Sequence, residues 1–192
     1  MPTVLVLPRG PGTAAMAAPL GLQRVSTLST LLQERALSAA EAVAPGSVQR
    51  LPDLGGDGSL DGLAEAIARV WPQPDAPGPL LILWSDMPRW RPAHLEAALS
   101  DLADGCELTV GPVFDGGLYL LGLARPLPAL FERPSEDWRS PDTMAMTLAA
   151  AVREGLEVGL LRAERALRSP ADVAAALADP LLDSELRGVL AT

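Results

Sequence analysis

Apolar residues fall into two patterns along this chain, unbroken short runs and stripes spaced at three and four. Thr3 to Leu7 and Leu80 to Trp84 are unbroken, as expected of strands buried on both faces of a parallel sheet. Ser47 to Leu51, Cys106 to Val110, Leu118 to Leu123 and Glu157 to Leu161 are further strand candidates. Between them, Leu20 to Ala42 sets Leu22, Val25, Leu28, Leu31, Leu32 and Leu37 on one helical face. Ser59 to Val70 reads as a second amphipathic helix, ended before Pro72. Pro92 starts a helix running to about Ala103, with proline where its missing N–H costs little. Leu127 to Phe131 predicts one helical turn, and Ser140-Pro141-Asp142-Thr143 opens a helix to Glu154 that Gly155 closes. Ser169-Pro170-Ala171-Asp172 starts another helix, and Pro180 precedes a last short one over Leu181 to Leu190. The order β, α, β, α, β, α, hairpin, α, β, α predicts a three-layer α/β/α sandwich with a mainly parallel sheet. No repeat and no long linker divides the 192 residues, so residues 1–192 read as one domain.

Composition narrows the chemistry. All 15 basic residues are arginine, none is lysine, and the net charge is −9. That field disfavours nonspecific nucleic-acid binding, so an anionic ligand has to be held locally. The absence of lysine removes Schiff-base chemistry and a Walker-type phosphate lysine. The single cysteine, Cys106, excludes an intrachain disulfide and reads as a filler of a buried strand position. With no apolar run of membrane-spanning length and no signal-peptide pattern, the expected location is cytoplasmic. Homodimer formation is left open.

In an open parallel sheet the ligand site lies beyond the carboxyl ends of the strands. Three features fall there: the Pro8 to Thr13 loop, Asp86 in Ser85-Asp86-Met87-Pro88, and Asp115 in the hairpin Gly111 to Leu123. A carboxylate just past a buried strand is placed to hold a divalent cation, although an Asx turn accounts for Asp86 equally well. Asp115-Gly116-Gly117 supplies positive-φ residues for a tight reversal, and the second glycine hints that something approaches the backbone closely. A plain turn explains that stretch too. Tyr119 either contacts a ligand or lies under a helix, and Trp138 sits in a loop long enough to stack on a base or sugar or to pack beneath it. Trp71, Trp84 and Trp90 read as packing, His94 as a solvated or capping residue, and Arg89 and Arg91 as surface cations.

Ile-Leu-Trp-Ser-Asp-Met-Pro (82–88), followed by Gly-Pro-Val-Phe-Asp-Gly-Gly-Leu-Tyr-Leu-Leu-Gly-Leu (111–123), resembles the radical-SAM/selenodomain-associated transferase family. That family is a bacterial branch of glycosyltransferase-A folds related to molybdenum-cofactor guanylyltransferases. Its pattern is a strand ending in Gly-x-Asp-x-Pro, then Gly-Pro-x-x-Asp-Gly-Gly-Tyr-Tyr-Leu-Ile-Gly. The late Ser-Pro-Ala-Asp-Val (169–173) resembles the family's Thr-Pro-Glu-Asp-Leu. The resemblance implies a nucleotide-diphospho-sugar transferase type of fold and a transferase using a nucleotide or nucleotide-sugar as substrate. It further implies a divalent metal (Mg or Mn) at Asp86; the reading built on it has Asp115 orienting the substrate or acting as a base. Arg9, Gly10, Gly12 and Thr13 would then lie near the nucleotide, with Gly116, Gly117, Tyr119 and Trp138 near the substrate.

Two departures stand out. The family's Pro-Gly-x-x-Lys-Thr-Arg-Leu loop reads Pro11-Gly12-Thr13-Ala14 before Ala15-Met16-Ala17-Ala18, with both charges gone. The family's late Asp-Val-Asp reads Ala166-Leu167-Arg168, a cation where a carboxylate is expected. Two explanations stand. Arg168, with Arg9, neutralises a diphosphate directly in a metal-light or metal-free site; or the site is catalytically degenerate and serves as a binding or partner domain.

Overall fold

The computed structural model describes residues 1–8, 16, 20–50, 63, 67–69, 71, 78–131 and 140–191. Six strands are present among them: β1 (Thr3–Leu7), β2 (Val48–Arg50), β3 (Leu80–Trp84), β4 (Leu108–Pro112), β5 (Leu118–Leu123) and β6 (Val158–Leu160). The helices are α1 (Leu22–Val43), α2 (Pro92–Ala103), α3 (Thr143–Glu154), α4 (Pro170–Ala178) and α5 (Ser184–Leu190), with one 3-10 turn at Pro128–Leu130. Pro52 to Gly58, most of the Ser59 to Val70 helix and nearly all of the loops at Pro8 to Thr13 and Glu132 to Ser140 lie outside the described residues.

The strands form one sheet in the order β2-β1-β3-β5-β4-β6. β1 pairs in parallel with β2 and β3, and β4 in parallel with β6, whereas β5 runs antiparallel to both its neighbours. Five carboxyl ends therefore share one edge, and β5 begins there. The period-2 alternation of a strand sends successive side chains to opposite faces. Val4, Val6, Leu81, Leu83 and Leu120 meet α1 and α2 on one face. Leu5, Leu80, Ile82, Leu121 and Leu123 meet α3, the 3-10 turn and Leu63, Ile67 and Trp71 on the other. Sheet residues buried on both faces, between two helical layers, make the predicted α/β sandwich. Each such Leu, Ile or Val contributes about 1.5 to 3 kcal/mol of transfer free energy. A third cluster joins the first half of α1 to α4 and α5 through Val25, Leu28, Leu32, Val173, Leu182 and Leu186.

Some boundaries depart from expectation for local reasons. β4 starts at Leu108, not Cys106, because the exit from α2 uses the preceding residues: Gly105 takes φ 109°, and Cys106 N–H donates to Asp101 O at 3.0 Å. Cys106 is accordingly half-buried ahead of the strand, not a strand filler. The strand extends to Pro112 because its register shifts between Gly111 and Pro112, where a bulge spares proline a ladder N–H. α5 starts at Ser184 because the Asp183 carboxylate accepts the N–H groups of Glu185 and Leu186.

Candidate functional site

Three side chains from distant parts of the chain converge on the carboxyl edge of the sheet. Asp86 follows β3 by two residues. Its neighbour Ser85 extends the ladder by donating to Leu7 O at 3.1 Å, which draws Asp86 inward until none of its surface is exposed (0%). Asp115 sits in the β4–β5 turn, closed by Val113 N–H to Gly117 O and Gly116 N–H to Val113 O, each 2.9 Å. The Asp115 carboxylate also accepts Gly117 N–H at 3.1 Å. Gly116 alone of the pair takes a positive φ, 89°, and a Cβ there would collide with the Pro141 carbonyl oxygen. Its own carbonyl accepts Met144 N–H at 3.0 Å, so the turn is fastened to the start of α3.

Arg168 comes from the segment joining β6 to α4. That segment runs beside the turn through Phe114 N–H to Glu164 O at 3.1 Å, and beside β3 through Leu167 N–H to Asp86 O at 2.9 Å. It ends at the Ser169 cap of α4, where the Asp172 carboxylate accepts the backbone N–H groups of Arg168 and Ser169 at 3.3 and 3.0 Å. Arg168 is thus fixed at its backbone before its side chain makes any contact.

The guanidinium joins the two carboxylates. Nε donates to Asp86 Oδ2 at 2.7 Å, and Nη1 lies 2.6 Å from both Asp115 oxygens. Nη2 faces Leu118 O at 3.4 Å. The Arg168 side chain is 14% exposed and that of Asp115 is 47% exposed. Burial alone would push the Arg168 pKa down, but the charges of Asp86 and then Asp115 more than offset it and hold the pKa above its ordinary value. The approach hinted at by the second glycine comes from within the chain: a Cβ on Gly117 would occupy the place of Arg168 Nη1.

No three His, Cys, Asp or Glu side chains are grouped as a metal site among the described residues. The two carboxylates that do converge are already spanned by a cation. In this arrangement the guanidinium holds the place between the two carboxylates that a divalent ion would need.

Tyr119 is not brought to this cluster. Its ring is 1% exposed under α2, against Trp90 and His94 at centroid distances of 5.6 and 5.7 Å. Its hydroxyl donates to Arg162 O at 3.2 Å, and burial, with Glu164 nearby, pushes its pKa up. His94 caps α2, its Nδ1 accepting Arg91 N–H at 3.2 Å, and its Nε2 lies 3.6 Å from Glu164. Trp71, Trp84 and Trp90 are buried. Arg9, Gly10, Gly12, Thr13 and Trp138 lie outside the described residues.

A cleft of about 120 Å³ that the sequence motifs do not mark lies beside the turn, walled in part by Arg89, Phe114, Arg162, Glu164 and Arg165. Phe114 is 67% exposed, and the Arg165 guanidinium lies 5.5 Å from its ring centroid. The available signal was Arg162, Arg165 and Arg168 at a spacing of three immediately after a strand, in a chain of net charge −9.

The fold is shared with solved structures. A candidate nucleotide-diphospho-sugar transferase of Desulfovibrio desulfuricans G20 superposes with a TM-score of 0.74 at 17% identity, over 98% of this chain and 93% of that one. Rv0371c of Mycobacterium tuberculosis H37Rv gives 0.52 at 20% identity, over 91% and 95%. A CMP:2-keto-3-deoxy-manno-octonic acid synthetase complexed with CTP gives 0.50 at 14% identity, over 91% and 95%. At these identities the likeness is one of fold alone. No curated protein matches the chain. Residues 19–135, more than half of it, match the model of a family described as uncharacterized protein conserved in bacteria (DUF2064).

Proposed function

We propose that this chain, a member of the DUF2064 family, is a transferase acting on a nucleotide-activated small molecule, by glycosyl or nucleotidyl transfer, at the carboxyl edge of its sheet. The observation that carries this reading is the convergence of Asp86, Asp115 and Arg168 on that edge, in a fold held in common with nucleotide-diphospho-sugar transferases. In it, Arg168 turns its outer donors to the diphosphate while Asp86 holds the guanidinium in place. Asp115 orients the acceptor hydroxyl or takes its proton, which requires hydrogen-bond reach of that hydroxyl. The loop from Pro8 through Arg9, Gly10 and Gly12 to Thr13 borders the nucleotide, and Gly116, Gly117 and Trp138 border the substrate. A net charge of −9 favours a small ligand over nucleic acid, and a cytoplasmic location belongs to the same reading. The finer assignment, to the radical-SAM/selenodomain-associated branch, is supported by the Asp86-Met87-Pro88 and Asp115-Gly116-Gly117 motifs.

The test is thermal stability against a panel of nucleotides and nucleotide-sugars, with and without magnesium or manganese. A ligand that binds the native state must raise its stability, by about 2.7 kcal/mol at a hundred times Kd. Stabilisation by one base or sugar class is expected; no stabilisation by any of them at millimolar concentration would sink the proposal. One observation favours a second reading, a degenerate binding domain: Arg168 already spends its donors on its own carboxylates. A stabilising nucleotide-sugar that is never turned over with any acceptor offered would select that alternative.

A further inference from the structure

We propose that the site is gated by its own carboxylate: Asp115 occupies the outer edge of the Arg168 guanidinium as two phosphate oxygens would, and a phosphate or diphosphate ligand binds by displacing it, without a divalent cation. This rests on the nucleotide-transferase reading and adds to it how the ligand gains access.

The two partners of Arg168 are not equivalent. Asp86 is wholly buried, so water cannot resolvate its carboxylate if the ion pair with the guanidinium is broken. Asp115 is 47% exposed, so water resolvates it when it lets go. An incoming anion therefore competes with Asp115 and not with Asp86.

The geometry suits that exchange. Nη1 lies 2.6 Å from both oxygens of Asp115, an arrangement that two oxygens of a phosphate reproduce. The guanidinium stays behind, because Nε remains bonded to Asp86 at 2.7 Å and the Arg168 backbone is held by Asp172. Gly117 has no side chain to screen Nη1. The displaced carboxylate stays close as well, since Asp115 Oδ1 accepts Gly117 N–H within the turn. It would end beside the bound ligand, where an acceptor-orienting group is wanted.

Charge fixes the direction of the effect. With Asp115 in place, two carboxylates face one guanidinium, and the excess negative charge resists an anion. With Asp115 displaced, the Arg168–Asp86 pair is neutral and its outer donors are open. A cation already built into the fold also holds the place between the carboxylates that a divalent ion would need.

The experiment is calorimetric titration of the full chain and its Asp115→Asn variant with inorganic pyrophosphate in EDTA. Asn keeps the acceptor that Gly117 uses and removes the competing charge. Asp115→Asn is expected to bind about fivefold more tightly than wild type, the worth of a half-exposed ion pair no longer broken on binding. Because Arg168→Gln alone takes the guanidinium away from a buried carboxylate, the matched control is Asp86→Asn/Arg168→Gln, expected to lose the binding in both backgrounds. Equal or weaker binding by Asp115→Asn, or binding seen only with added magnesium, overturns the gate; nucleotide stabilisation of the wild type would still uphold the functional reading. No binding to either protein, with no nucleotide stabilisation, overturns both.

Discussion

The β4–β5 hairpin carries an arginine–carboxylate cluster at each end, and the two are built differently. At the open end, Arg125 reaches across to Glu107, with Nη2 at 2.6 Å and Nε at 2.9 Å from one carboxylate oxygen. The partners are neighbours across the hairpin, and both stay wet, at 56% and 31% exposure. At the turn end, Arg168 arrives from 82 residues beyond Asp86 and 53 beyond Asp115 to neutralise a carboxylate with no exposed surface. Taking those charges out of water costs several kcal/mol per ion, and a hydrophobic replacement would do as well or better for stability alone. The open end has the economy of a surface pair. The turn end carries a cost that folding does not require, which makes it the better candidate for function.

The largest effect expected from breaking this contrast is that of Arg168→Met. It leaves Asp86 charged and buried without its guanidinium, so the chain should lose about 3 to 5 kcal/mol in urea unfolding. Asp86→Asn/Arg168→Met should recover most of that loss. A single variant as mild as one at Arg125 would mean that the two ends are equivalent. Gly116→Ala comes next: it forces an L side chain to φ 89° and into the Pro141 carbonyl, at a cost of about 2 kcal/mol or more. Because Gly116 fastens the turn to α3, this loss should be accompanied by weaker nucleotide binding in the thermal-stability assay.

The contrast between the ends was only half legible in the sequence. β1, β3, α2 and β5 have the bounds that apolar runs and a first-turn proline predict, because those signals are local and the sheet is buried on both faces. β4 starts later than its apolar run predicts because the exit from α2 reuses Cys106 for a helix-closing hydrogen bond, a tertiary choice that residue type does not encode. Asp86, Asp115 and Arg168 could each be picked out from their own stretch. That Arg168 faces two carboxylates is set by how β6 returns to the sheet edge, and no spacing along the chain contains it. Gly117 shows the limit well: its sequence announced a close approach, and only the fold says that the visitor is Arg168. Phe114 and Arg165 are paired only by the fold, because an exposed aromatic gains meaning from what lies over it.

The middle of the hairpin supplies a titratable probe. Tyr119 packs against His94, whose pKa is held below its ordinary 6.5 by burial, against a smaller opposing pull from Glu164. As pH falls through 6.5 the unfolded chain takes up a proton that folded His94 resists, so protonation favours unfolding. The stability this group contributes is fully present above 6.5 and declines as pH drops toward the lowered folded value. The slope cannot exceed about 1.4 kcal/mol per pH unit for one group. Urea unfolding at pH 7.5 and 5.5 should show the decline in wild type and a flatter response in His94→Gln; an unchanged slope would assign it to other groups.

Arg125→Ala, at the open end, should have the smallest effect, below about 1 kcal/mol, and smaller still at high salt, because water and ions already screen the pair. It matters because it calibrates the rest. Arg125 and Arg168 each place a guanidinium against a carboxylate at the end of the same two strands, so a difference in their costs isolates what burial and long-range assembly add. If Arg125→Ala costs little and leaves pyrophosphate binding unchanged while Asp86→Asn/Arg168→Gln abolishes that binding, then a shared loss of positive charge in an acidic protein cannot explain the result. The binding would then depend on where Arg168 is held, by a carboxylate it cannot leave and beside one that it can.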